Sequence, residues 1–211
     1  MVFVAIFVPA VAVCSDDESL APVLYHGSVS VASQRKASVE LVNGEVKRHG
    51  LDEQILPHWI TKGSWESRHP NLDGTFGAED EEQFVQSFVS ELVHLGLFKQ
   101  AVETSSDESE DVHIRLWFER TEYFYQMTTR YVLYVEMQIE DKGGVSSKRY
   151  VADSRNARSL VKGDQYGRAL AKTAAATDLM EKLIPEVEEW LRQDQATRDT
   201  EAMPTSAAQD Y

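Results

Sequence analysis

The chain has 211 residues, a length that suits one domain or one domain with tails. Its 21 Lys and Arg stand against 35 Asp and Glu, a formal charge of −14. That balance excludes non-specific nucleic-acid binding, because a phosphate backbone would be repelled rather than neutralised. A single Cys excludes an intramolecular disulfide, while 8 Phe, 8 Tyr and 4 Trp are enough to fill one core.

Residues 1–13 carry no charge, and the first charged residue is Asp16. The run is shorter than the roughly 20 apolar residues of a membrane-spanning helix. It fits the apolar region of a secretory signal, and Pro9 fits that reading better than a stable helix. Cys14 closes the run. Val11-Ala12-Val13-Cys14 resembles a bacterial lipobox, in which the chain is cut before a Cys that takes lipid. Val13 stands where Gly, Ala or Ser is usual, and no Lys or Arg precedes Arg35. Plain secretion, or a buried strand with Cys14 as a small core residue, are the competing readings. Under the lipobox reading residues 1–13 are a signal peptide and 14–22 a lipidated Cys and polar tether. Lipid anchoring is stable because each buried methylene adds about 0.8 kcal/mol. Ser15, rather than Asp, after the Cys points to the outer membrane.

Residues 23–31 alternate towards their end and predict a strand. Residues 38–47 predict a second, interrupted at Asn43-Gly44. Residues 48–78 have no clear periodicity, contain Pro57 and Pro70, and hold the aromatics Trp59, Trp65 and Phe76, expected to be exposed. They read as a long ordered loop, and such loops are often functional. Residues 79–95 predict a helix, with an acidic first turn, a Phe84/Phe88/Leu92 stripe and Gly96 as terminator. Leu97 to Glu103 is expected to enter a short strand, followed by an acidic, Ser-rich loop over 104–111.

Residues 112–120 alternate strictly, with Val112, Ile114, Leu116 and Phe118 on one side and His113, Arg115, Trp117 and Glu119 on the other. Residues 131–141 repeat the pattern, Asp141-Lys142-Gly143-Gly144 makes a turn, and 148–153 return. Together they predict an antiparallel meander with one buried face. Residues 164–191 have helical spacing and an Ala-rich stretch at 169–176 that suits close approach to a sheet. Pro185 is expected to kink that helix or to start a new one. Residues 193–211 are polar and read as a disordered tail. The fold class is α+β: a two-layer sandwich, 23–192, with a mostly antiparallel sheet of four to six strands and two long helices on one face.

The chemistry-bearing residues form no catalytic pattern. His49, His58, His69, Asp52 and Asp73 share the long loop but match no metal-ligand spacing, so no metal and no cofactor is expected. Gly63-Ser64-Trp65 lacks the second Gly of a nucleophile elbow. Glu119 and Glu122 are better read as a solvated strand end than as an acid/base couple. The aromatics Trp59, Trp65, Trp117, Tyr123 and Tyr125 are candidate anchors for a protein partner, or else complete a small core. A hydrolase using loop 48–78, and a small-ligand or lipid carrier with a cavity between helices and sheet, are the alternatives.

Leu92 to Phe98, followed by Asp111-Val112-His113-Ile114-Arg115-Leu116, resembles the helix–Gly–strand–gap–strand arrangement of small bacterial outer-membrane lipoproteins. These include uncharacterised envelope lipoproteins and, more distantly, the curli-secretion and penicillin-binding-protein-activator lipoproteins. The resemblance covers about half the chain and transfers no binding residue. It implies a non-catalytic envelope protein. With the lipobox reading of Cys14, the expectation is a protein attached to the membrane through lipid on Cys14 that binds an envelope protein whose identity the sequence does not give.

Overall fold

A computed structural model of the chain describes residues 20–42, 76–103, 111–126, 128–154 and 164–202. The elements are β1 (Lys36–Leu41), α1 (Ala78–His94), β2 (Gln100–Glu103), β3 (Val112–Gln126), β4 (Thr128–Asp141), β5 (Gly144–Asp153) and α2 (Asp164–Ala202). The strands form one sheet in the order β2-β1-β3-β4-β5. Most of its ladder is antiparallel, because β4 pairs along its length with β3 and β5. The short β1 is inserted parallel to both β2 and β3.

Period-two alternation gives the meander one apolar face, on which Ile114, Leu116, Leu133, Val135, Met137 and Ile139 are buried. Phe84, Phe88 and Leu92 of α1 and Leu179, Leu183 and Val187 of α2 join them in a single core. Both helices therefore cover the same face, and the α+β two-layer sandwich stands as the pattern predicts. Ala171, Ala175 and Ala176 are fully buried, so the Ala-rich stretch brings α2 close to the sheet.

The first turn of α1 holds Glu79, Asp80 and Glu81, and the Gly77 N–H donates to Asp80 Oδ2 at 2.9 Å. Gly96 has φ +72°, a left-handed conformation that a side chain resists. It turns the chain so that Leu97 and Phe98 bury fully. These two residues are a packed connector, and the strand itself is shorter than expected, starting at Gln100.

Four further expectations are corrected. Residues 23–31 form no strand; the segment is extended but its amides go to helix side chains, as described below. Phe76 is buried and stacks on Phe118 with ring centroids 5.8 Å apart. Pro185 lies inside α2 at an exposed position and starts no new helix. Finally, α2 runs to Ala202, so residues 193–202 are helical and not a disordered tail. Residues 43–47 of the second predicted strand, the 48–75 part of the long loop and residues 203–211 lie outside the described residues.

Candidate interaction surfaces

Segment 20–35 is an extended strap laid across the helical layer. Its first half runs along α1: the Val23 N–H donates to Ser87 Oγ at 3.2 Å and the Tyr25 N–H to Glu91 Oε2 at 3.1 Å. It then crosses to α2. The His26 N–H donates to Glu181 Oε1 at 2.9 Å, and both the amide and the hydroxyl of Ser30 donate to Glu188 Oε1 at 2.7 Å. Backbone amides that miss a sheet ladder must find acceptors elsewhere, and carboxylates supply strong ones. Ser30's hydroxyl and amide, helped by Arg192, hold the Glu188 carboxyl below its ordinary range. Glu91 and Glu188 are both buried, and their alignment with the strap carries no signature in the sequence pattern.

The strap ends in a charged junction. Arg35 donates to Asp194 at 2.8 Å, to Asp141 at 2.9 Å and to the Asp111 carbonyl at 2.8 Å. Its guanidinium lies 5.3 Å from the Trp190 ring centroid. Burial pushes the Asp141 carboxyl up, but Arg35 and the Gly143 amide outweigh it, and the net shift is downward. This junction explains the extra helical turns: Asp194 and Arg198 belong to the stretch that the polar composition marks as tail.

The sheet face away from the helices carries a ladder of ion pairs. Arg115 of β3 contacts Glu40 of β1 at 3.2 Å and Glu140 of β4 at 2.7 Å. Arg149 of β5 contacts Glu119 and Glu136, each at 3.1 Å. Ser38 Oγ lies 2.7 Å from His113 Nδ1. Each such pair contributes little alone, but together they tie four strands. Glu119 is held by Arg149, and the side chain of Glu122 lies outside the described part of the structure.

Trp117 is half-buried on this polar face, opposite Glu136. Between Phe118 and Arg120 the β3 register shifts at a bulge. As a result Tyr123 falls opposite Tyr131 and Tyr125 opposite Thr129, whereas uninterrupted alternation would set both in step with Trp117. The backbone register of β3 after the bulge is therefore one step out of phase with that at Trp117. The side chains of Tyr123 and Tyr125 lie outside the described part of the structure. So do Cys14, Trp59, Trp65, and the loop residues His49, Asp52, His58, His69 and Asp73.

Among the described residues no group of three His, Cys, Asp or Glu is arranged to hold a metal ion. An open groove of about 450 Å3 lies between the strap and α1, lined by Leu20, Val23, Leu24, Gln83 and Ser87 among others. It lies outside the helix–sheet interface, where the carrier reading places its cavity. No described helix is long and apolar enough to cross a membrane.

No protein-family model and no curated protein matches the sequence. Among solved structures, the chain is similar in fold to a Xanthomonas campestris protein described as DUF330. The match has TM-score 0.56 and 13% identity, and covers 84% of this chain and 98% of that one. A minor lipoprotein from Acinetobacter baumannii matches at TM-score 0.36 and 14% identity over 76% of this chain and 96% of that one. A hypothetical protein from Chlamydia trachomatis matches at TM-score 0.43 and 8% identity over 75% and 98%. At these identities the first likeness speaks for the fold alone, and the two looser ones carry no argument.

Proposed function

We propose that this chain is a lipid-anchored bacterial envelope protein that works by binding. It is a non-catalytic accessory subunit of a secretion, transport or cell-wall assembly, held at the outer membrane on its periplasmic side. The observation that carries the reading is Cys14, which closes an uncharged run of 13 residues and is followed within six residues by the fastened strap. The strap supports it, because a short tether needs a firm attachment to the domain it anchors. With −14 of formal charge outside residues 1–13, attachment to anionic headgroups comes from lipid rather than from basic patches.

Mass spectrometry of the mature amino terminus tests the anchor. The expected species begins at Cys14 with acyl groups attached; an unmodified Cys14 or an uncut Met1 overturns it. Trp117, half-buried between ion pairs on the polar face, is the described residue best placed to contact a partner. A Trp117→Ala variant is expected to retain the fold and lose a partner that the lipidated wild type retains in cross-linking.

A further inference from the structure

The sheet has two edges, β2 and β5. β2 is four residues long, whereas β5 runs for ten, and Gly144 to Arg149 are all exposed. A long open edge offers unpaired backbone groups to another strand. Which groups these are follows from the ladder. β4 and β5 pair without a break from Asp153 to Gly144. In an antiparallel pair the N–H and C=O of one residue point the same way, and successive residues alternate. The Ser154 amide donates to the Tyr131 carbonyl, so even-numbered residues face β4. Odd-numbered residues face outward. The Asp153 amide donates to Asp178 Oδ2 at 2.8 Å, and the Val151 carbonyl accepts from Lys182 Nζ at 2.6 Å.

Two side chains of α2 thus close the edge at its carboxyl end. Further back, nothing among the described residues meets the outward N–H and C=O of Val145, Ser147 and Arg149. These groups lie between the turn at Gly144 and the α2 cap at Val151. Ser147 is the midpoint of that open stretch.

The geometry points to a second copy of this chain as the occupant, its β5 pairing antiparallel with this β5 about a two-fold axis at Ser147. Val145 then faces the copy's Arg149, Ser147 faces the copy's Ser147, and every free group of the open stretch gains a partner. The result is one sheet with five strands from each copy. Charge selects this register. Lys148 falls opposite the copy's Ser146, and Arg149 opposite Val145, which is 57% exposed and offers an apolar neighbour to the arginine stem. Moving the axis to residue 148 or 149 would set two lysines or two arginines face to face. Within its own copy Lys148 already pairs with Glu186, and Arg149 with Glu119 and Glu136, so no bare cation is brought to the axis.

The helical layer permits the approach. α2 rests on β4 and β5 alike. With strands about 4.8 Å apart, a helix centred over that pair lies roughly 10 Å from its mate across the axis, the spacing at which helices pack. The contact thus extends beyond the ladder, and the two-fold closes it at two copies rather than a fibre. It does not depend on the lipid anchor.

The test uses the full chain with Cys14→Ser in mild detergent, so that an added Cys is the only thiol. Light scattering across a concentration series is expected to give the mass of two chains. Ser147→Pro removes an outward N–H and leaves the β4 ladder intact, a place where an edge strand tolerates proline. Val145→Lys sets a cation against the copy's Arg149. Both variants are expected to be monomeric with an unchanged circular dichroism spectrum; if the proline perturbs the fold, Val145→Lys decides. A short bismaleimide is expected to bridge two chains through Ser147→Cys, whose Cα atoms lie about 5.5 Å apart across the axis. It is expected not to bridge Lys142→Cys, whose two positions are about 33 Å apart along the ladder. A monomer at every concentration, a dimer that survives Val145→Lys, or equal bridging at 147 and 142 overturns the inference.

Discussion

The Nζ of Lys172 on α2 donates to Oδ2 of Asp80 in the first turn of α1 at 2.8 Å, with the two side chains 5% and 7% exposed. The same oxygen takes the Gly77 amide, so one carboxylate caps a helix and pins its neighbour. A buried pair gains little over an apolar substitute, but breaking it leaves one charge without compensation. Lys172→Met is therefore expected to destabilise the protein by about 3–5 kcal/mol. Lys172→Met combined with Asp80→Asn is expected to recover a large part of that loss. Urea unfolding of the two variants and the wild type measures both.

Beside this pair, burial, reinforced by the Asp80 and Glu82 carboxylates, pushes the Glu81 carboxyl up to about 7. A raised acid binds a proton in the folded state that the unfolded chain has already released. Its contribution to stability is therefore full below about pH 4.5 and is lost as pH rises through 7. Glu81→Gln removes that dependence. Unfolding curves are expected to coincide for variant and wild type near pH 4 and to diverge above pH 5. Near pH 8 the variant is expected to be more stable by about 1–2 kcal/mol, a figure reduced for partial solvent screening. Equal stability at pH 8 would refute the raised value.

The Glu188 carboxyl shifts the other way, lowered by the Ser30 hydroxyl and amide and by Arg192. Its contribution is present above its ordinary value of 4.5 and is lost as pH falls through the lowered one. Glu188→Ala is expected to loosen the strap locally at neutral pH. Hydrogen exchange at the amides of His26 and Ser30 is expected to quicken, with the β3–β4 amides unaffected. Wild-type protein is expected to show the same local loosening on acidification before it unfolds globally.

Arg35→Lys tests the junction at the far end. Lysine offers a point charge where Arg35 divides its donors between Asp141, Asp194 and the Asp111 carbonyl. The substitution is expected to cost about 1–3 kcal/mol, as the loss of hydrogen bonds to charged groups does. It is also expected to fray α2 beyond Leu191, visible as faster exchange at residues 194–202.

The strength of the β3 and β4 readings came from strict alternation, which buries Ile114, Leu116, Val135 and Met137 where the pattern puts them. The pattern carries no mark of the bulge after Phe118, because one extra residue in a strand leaves its composition unchanged. Val29 and Val31 alternate like strand residues, yet they pack on helices, since alternation reports a half-buried extended chain and not which acceptors its amides meet. The helical turns after Leu191 carry no apolar stripe and depend on Arg35, more than 150 residues earlier. Insertion of β1 between β2 and β3 was equally invisible, because no local signal states which strands become neighbours. Asp80, Glu91, Lys172 and Glu188 are buried, and no local pattern marks a charged helix residue for burial.

The strap has one more consequence, for the order in which the polypeptide is completed. Its acceptors at Glu181, Glu188 and Asp194 lie in the last helix, while the strap itself follows the first twenty residues. β1 likewise waits for partners about 64 and 75 positions later. Such distant closures come late in folding. A chain emerging from its amino end can thus assemble the meander on its own, but it cannot fasten its beginning until almost the whole polypeptide has emerged, so the attachment nearest the tether is among the last to form.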